Sequence, residues 1–494
     1  MTAILDTANA GPVAREASLL DQIVEQSRVA KSGSEHARAC DLISELVNQV
    51  MNGTVLISDN LSATLDARVA ELDRMISAQL SAVMHAPQFQ KLERSWTGLH
   101  YLVKNATAST GQQIRMMNAS KKELVKNFQS ALEFDQSVIF KKVYEEEFGS
   151  FGGAPYGVLI GDFEITRQPE DIYFLEQMSH VAAASHAPFI TSAAPELFGI
   201  DSYGDLGKPR DLAKVFDTVE YAKWKAFRES EDARYVGITL PRFLGRLPFN
   251  PADGTTVEGF NFVEDVDGTD HHKYLWCNAA YAFATKLTAA FEDFGWCAAI
   301  RGVEGGGLVA DLPTHTFKTD EGEVALKCPT ELAVTDRREK ELSDLGFISL
   351  VHCKNTAYAA FFGAQSAQKA KKYANEAANA NAVLSSQLQY IFAVSRIAHY
   401  MKAMVRDKIG SFSAAANVED FLNRWLTQYV LLDDNASQEQ KAQFPLREAS
   451  VQVSEVPGRP GVYRAVSFLR PHFQLDEPSV SLRLVAELPQ STKN

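Results

Sequence analysis

What this chain is short of narrows its class at once. It has 494 residues, and none of its apolar runs reaches the ~18 consecutive residues of a membrane helix. Its first stretch, MTAILDTANAGPVAREAS, lacks the basic n-region and apolar core of a secretory leader. Membrane insertion is not expected, and a cytoplasmic location is. Cysteine is scarce: Cys40, Cys277, Cys297, Cys328 and Cys353 are odd in number, widely spaced and set among apolar neighbours. That usage fits reduced, mostly buried thiols and excludes a disulfide framework. Basic charge is in deficit, with 49 Lys and Arg against 62 Asp and Glu and a net charge of -13. No basic stripe could neutralise a phosphate backbone, so no nucleic acid is expected as a partner.

Catalytic signatures are equally thin. Val303 to Leu308, containing Gly305-Gly306-Gly307, lacks the Gly-Lys-Ser/Thr ending of a phosphate loop and the GxGxxG spacing of a dinucleotide fold. A tight turn with close backbone approach is the plainer reading. Asp265, Asp267, Asp270, His271 and His272 match neither an EF-hand nor an HExxH helix, and they read as a polar loop. No CxxC pair and no GxSxG elbow occur. No metal and no cofactor are expected. The competing reading is a cytosolic α/β enzyme taking a small molecule near Gly305 to Gly307.

What is present is an ordinary folding composition: 46% hydrophobic, 22% charged, far from the signature of disorder. The length suggests several domains. Residues 1 to 17 have no periodicity and read as a flexible tail. Ser18 can cap a short helix with Leu19, Leu20, Ile23 and Val24 on one face. A second helix runs from about Glu35 to a stop at Asn52-Gly53. From Leu61 to Val103, apolar positions at helical spacing mark two helices interrupted at His85-Ala86-Pro87.

The middle alternates short β-rich runs with helices: Tyr156 to Ile160, Pro188 to Thr191, Tyr235 to Leu240, Cys297 to Arg301 and Phe347 to His352. Such alternation indicates a mixed α/β domain, with a β-α-β unit from Tyr156 through Ala184 to Thr191. Gln365 to Ala382 has few large apolar residues and reads as a solvated helix or a hinge. Two helices follow, carrying Leu384 to Phe392 and Phe421 to Tyr429. Val451 to Val456 and Val462 to Leu469 then flank Pro457-Gly458-Arg459-Pro460-Gly461, a hairpin signal. A third strand alternates strictly, with Val480, Leu482, Leu484, Ala486 and Leu488 on one side. Three strands leave two edges, which another chain or the chain's own helices can cover.

The domain reading is therefore a tail and N-terminal helices over 1–60, a helical hairpin over 61–110 and a central mixed α/β region over 111–365. A linker over 366–382 and a C-terminal domain over 383–494 complete it. The fold class is α/β (mixed α+β) and multidomain.

Several phrases carry a resemblance. Pro87-Gln88-Phe89-Gln90-Lys91-Leu92-Glu93 with Trp96, Arg234 to Leu244, and Gly302 to Leu308 are similar to the large sheath subunit of type VI secretion systems. So are Cys328-Pro329-Thr330-Glu331 leading to Thr335 to Glu339, and Asn355 to Ser366. The resemblance runs from about Ser18 to the C-terminus. It implies a structural protein, not an enzyme, that pairs with a small sheath subunit and polymerises helically with copies of itself. It also implies an inner tube protein, a baseplate, and a Clp-family AAA+ ATPase that dismantles the contracted sheath. On this resemblance Leu19, Leu20, Ile23 and Val24 would be the ATPase-recognition helix. Val480, Leu482, Leu484 and Ala486 would lie on an intersubunit strand in a shared sheet.

Overall fold

The computed structural model describes residues 22, 24–25, 33–52, 61–106, 111–208, 210–319, 321–407, 415–433, 435–455, 463–472 and 474. The chain divides into two compact units. One gathers the described residues up to Ala82 together with Phe249–Asp265, and the other takes Val83–Pro248 and the described residues from Val266 onward. Helices α1 (Gly33–Met51) and α2 (Leu61–Met84) begin the chain's described course, and α3 (Pro87–Asn105) follows with Pro87 at its first turn. The break falls where expected, because Pro87 disfavours helical geometry at Ala86, which is extended at φ -63, ψ 130.

In the second unit a six-stranded sheet is assembled from β1 (Leu159–Ile165), β2 (Phe189–Ala193), β3 (Val236–Leu240), β4 (Leu308–Val309), β5 (Ile348–His352) and β6 (Ala359–Phe361). Its spatial order is β1-β2-β3-β5-β6-β4. The first four in that order pair in parallel, and β6 and β4 add antiparallel at one side. Parallel strands need a crossover. Helix α4 (Pro169–Ser185) supplies it between β1 and β2, so the expected β-α-β unit is present.

Both faces of the sheet are covered, so every residue of β2 and β3 is buried, and the hydroxyls of Thr191, Ser192 and Thr239 each donate to a backbone carbonyl of the sheet. Ile172, Phe174 and Leu175 of α4 pack with Phe189, Val236, Ile238 and Leu240 on one side. On the other, Ala280, Phe283 and Leu287 of α5 (Ala279–Phe294) pack with Ile190, Ile348, Leu350 and Phe361. Asn278 caps α5 by accepting from the Ala280 amide at 2.8 Å, and Gly295 ends it at φ +76.

Two expectations fail. Cys297 to Arg301 is not a strand. That apolar run follows directly on the α5 stop and turns, with Gly302 donating to the Phe361 carbonyl; the edge position belongs to the two-residue β4. Burial of the thiols is also narrower than expected: all five cysteines are free, but only Cys277 is buried and Cys353 is exposed. The glycine stretch is a turn packed on its own chain. A side chain on Gly305, Gly306 or Gly307 would fall within 2.4, 2.3 and 2.5 Å of a backbone carbonyl oxygen.

The chain continues into α6 (Leu388–Asp407), α7 (Ala415–Leu426) and a hairpin of β7 (Leu446–Glu455) and β8 (Tyr463–Pro471). Ile397, Met401, Val418, Leu422, Leu426, Leu446 and Val451 close a separate small core there with Trp296. Among the described residues no helix is long and apolar enough to cross a membrane.

Candidate assembly surfaces

The C-terminal hairpin is built with unequal edges. Its antiparallel register sets Val451 opposite Ser467, with Ala449 facing Leu469 and Val453 facing Ala465. Asn423 on α7 grips Val451 from outside the pair, accepting from its amide at 2.8 Å and donating to its carbonyl at 2.9 Å. Glu419, one turn earlier, accepts from the Val453 amide at 2.9 Å. The two side chains stand in for a third strand and close the outer edge of β7.

The same register decides β8. Because the polar groups of Val451 point away from the hairpin, 451/467 is a non-hydrogen-bonded pair, and those of Ser467 point outward too. Alternation extends this to Ala465 and Leu469. Among the described residues these outward groups meet no partner. The solvent face beside them exposes Val466 and Phe468, the latter at 60%. Three residues beyond β8, Gln474 is pinned: its amide donates to Tyr390 Oη at 3.1 Å, its Nε2 to the Ala298 carbonyl at 2.9 Å, and Arg301 Nε donates to its Oε1 at 2.9 Å.

Helix α2 is amphipathic the wrong way round. Its buried side carries Asp73, Ser77 and Ser81. One helical turn apart, these take an extended segment: Asn261 Nδ2 donates to Asp73 Oδ2 at 3.4 Å, and the amides of Val263 and Asp265 donate to Ser77 Oγ and Ser81 Oγ at 3.3 and 3.1 Å. Meanwhile Leu65, Val69, Leu72, Ile76 and Val83 are exposed, at successive spacings of four, three, four and seven. Helix α3 repeats the theme. Its Gly98 lies against the Tyr281 ring of α5 and Leu102 is buried, yet Phe89, Leu92, Trp96 and Val103 are exposed, Trp96 at 58%. Such 3/4 spacing is the seam pattern of packed helices.

Behind these surfaces, a charged joint lies at the carboxyl ends of β1 and β3. Arg242 forks onto Glu164 at 2.6 and 2.9 Å and reaches Glu331 at 3.2 Å. Arg94 adds a 3.4 Å contact to Glu164, and Lys121 bridges the Glu164 carbonyl and Asp171. Burial alone would raise the Glu164 carboxyl, but Arg242 outweighs it and holds the group below its ordinary value. The joint has the geometry of a rigid brace. The acidic loop expected from sequence is likewise structural: Asp267 is pulled to about 2 by hydrogen bonds from Thr269 and the Asp270 amide. No group of three metal-ligating side chains occurs among the described residues.

Of the site residues expected from sequence, Val24 is buried, at 1% exposure, within the N-terminal unit. Leu19, Leu20, Ile23, Val480, Leu482, Leu484 and Ala486 lie outside the described residues. Asn423 and Glu419 were missed. The available signal was an asparagine, a poor helix former, placed in the middle of the Phe421, Leu422, Trp425, Leu426 stripe.

Comparison with known proteins decides the family. The model of the EvpB/VC_A0108 tail sheath N-terminal domain matches residues 66–368, and that of the EvpB/VC_A0108 tail sheath gpW/gp25-like domain matches 377–488. The chain belongs to the EvpB/VC_A0108 tail sheath family. Within it, the type VI secretion system sheath protein TssC1 of Pseudomonas aeruginosa PAO1 is 48% identical over 476 residues, covering 96% of this chain and 94% of the relative. A chain of the anti-feeding prophage baseplate, seen by cryo-EM, overlays with a TM-score of 0.35 at 9% identity, covering 64% of this chain and 66% of that one; so weak a likeness does not fix the fold. The six-stranded sheet falls within the tail sheath N-terminal segment, and α6, α7 and the hairpin fall within the gpW/gp25-like one.

Proposed function

We propose that this chain is the large subunit of a type VI secretion contractile sheath and that its work is mechanical, not catalytic. It pairs with a small sheath subunit, polymerises with copies of itself around an inner tube above a baseplate, and contracts. The observation that carries this reading is the one-sided hairpin: β7 is closed by Asn423 and Glu419, while β8 presents Ala465, Ser467 and Leu469 to an incoming strand. The donor is the alternating segment Val480, Leu482, Leu484, Ala486 of a neighbouring copy. Gln474 fixes where that arm departs, and the five residues before Ser479 give it a reach of about 17 Å. Residues 366–382 are the hinge between the sheet-bearing domain and this sheath core.

The bare stripes of α2 and α3 are the seats for helices of the small subunit, which their spacing suits. A Clp-family ATPase captures Leu19, Leu20, Ile23 and Val24. Val24 is buried, so capture requires this segment to leave its seat. Replacing Leu20 and Ile23 by Asp should leave assembly intact and prevent disassembly; unchanged ATPase binding would remove the assignment.

The test of the main reading is electron microscopy of the chain co-expressed with its small subunit. Tubules are expected from the native sequence and none from Leu484→Pro, which removes a ladder donor. Tubules from the proline variant would reject the donor strand. A soluble monomer indifferent to the small subunit would reject the sheath reading itself.

A further inference from the structure

Helix α6 turns two sides to two parts of the chain. At about 100° per residue, Ile397 and Met401 point one way, into the small core with Val418, Leu422 and Leu446, whereas His399, Lys402 and Arg406 point the opposite way. That second side closes on the ends of two helices of the sheet-bearing domain. Arg406 donates to the Phe148 and Ser150 carbonyls at 2.9 and 2.6 Å, where the π-helix Lys141–Phe148 runs out. Lys402 Nζ lies over the Phe148 ring, 3.5 Å from its centroid, and over Tyr144 at 4.9 Å. His399, only 3% exposed, donates from Nε2 to the Ser185 carbonyl in the last turn of α4 at 2.8 Å. His186, the left-handed residue that ends α4, stands edge-on to the His399 ring at 6.2 Å and meets Tyr235 Oη at 3.4 Å.

This closed arrangement needs a neutral His399. A carbonyl only accepts, so Nε2 carries the one proton, and Nδ1 is a lone pair shielded from solvent, with no hydrogen-bond partner among the described residues. A second proton there would find no acceptor and would face Arg396, Lys402 and His186. Acids of the packed elements do not relieve it. Asp232 is paired with His180 at 2.8 Å and Glu147 with Arg115, and Glu145, Glu146, Glu176 and Asp407 are exposed.

We propose that this joint is a proton-operated catch: it holds the second half of α6, and with it α7 and the hairpin, on the sheet-bearing domain while both histidines are neutral, and it opens locally in mild acid. Helix α6 lies in the gpW/gp25-like match and the two helix ends in the tail sheath N-terminal one, so the catch spans both. Burial above all, then Arg396, His186 and Lys402, brings His399 down to about 4, and burial and Lys402 lower His186 as well. A histidine lowered in the closed state takes up its proton on opening, so the catch is firm above about pH 6.5 and loosens as pH falls towards 4. With about 6.5 open and about 4 closed, the opening constant rises about thirtyfold between pH 7.5 and 5. The catch belongs to the single chain, so it is read without any partner.

Hydrogen exchange of the full chain, read by mass spectrometry at pH 7.5, 6 and 5 and corrected for the intrinsic rate at each pH, tests it. Segments 141–150, 183–187 and 396–406 should lose protection together, by about thirtyfold at pH 5, while β2 and β3 keep theirs. His399→Gln keeps a donor for the Ser185 carbonyl but cannot charge, and it should hold its protection at pH 5. His186→Asn tolerates the left-handed turn and should lose protection by a smaller factor than the native chain. Unchanged protection of the three segments at pH 5, or loss in step with β2 and β3, would overturn the proposal from the native chain alone. A His399→Gln chain that matches the native one at pH 7.5 and still opens as it does at pH 5 would overturn it too.

Discussion

Removing the Asn423 clamp has a calculable consequence. Asn423→Ala deletes one bond to the Val451 amide and one to its carbonyl, at 2.8 and 2.9 Å, next to a Val451 side chain that is buried. A net loss of about 1 kcal/mol per bond gives about 2 kcal/mol, more where water cannot reach the orphaned groups. With a urea slope of about 2 kcal/mol/M, the transition of the α6, α7 and hairpin module should move down by about 1 M. Asn423→Asp keeps the acceptor for the amide but loses the donor to the carbonyl, and it should retain part of the stability. Residue-resolved hydrogen exchange should show Val451 losing protection in the alanine variant while Gln452, whose amide points to β8, keeps more of its own. An unchanged urea midpoint together with an unchanged Val451 amide would refute the clamp, and with it the argument that β7 cannot accept a strand.

Two other outcomes follow from the packing and the charges. Gly98→Val should destabilise the second unit by about 1–3 kcal/mol in thermal melts, because even a Cβ at this site lies 2.4 Å from the Tyr281 ring. His399 is buried on α6, with its Nε2 donating to the Ser185 carbonyl at 2.8 Å, and burial, with Arg396, His186 and Lys402 nearby, brings it down to about 4. A histidine lowered in the folded state charges first in the unfolded chain. Stability should therefore fall as pH drops from about 6.5 towards 4, by about 3 kcal/mol at most, and His399→Gln should flatten that limb of a urea-midpoint series.

Elements whose pattern is set by the chain's own core were legible in the sequence. The β-α-β unit, the break before Pro87 and the C-terminal hairpin all follow from turn chemistry or periodicity that acts locally. Cys297 to Arg301 was misread because an apolar run looks the same in a buried turn as in a strand, and the two-residue β4 is too short to show any period. Helix α2 shows a deeper obstacle. Periodicity marks Leu65, Val69, Leu72 and Ile76 as the inward face, whereas the chain buries Asp73, Ser77 and Ser81. A pattern records which side chains avoid water, not which molecule covers them. The closing of β7 was equally out of reach, since it depends on Asn423 and Glu419 meeting a strand 28 and 34 residues away.

The central claim, that this chain finishes its C-terminal sheet with a neighbour's strand at β8, is tested most directly by residue-resolved hydrogen exchange on assembled and unassembled material. Ala465, Ser467 and Leu469 should exchange readily before assembly and become protected in the sheath, with Val451 protected in both. Ser467 amides that exchange equally fast in the assembled tubule and in the free chain would contradict it.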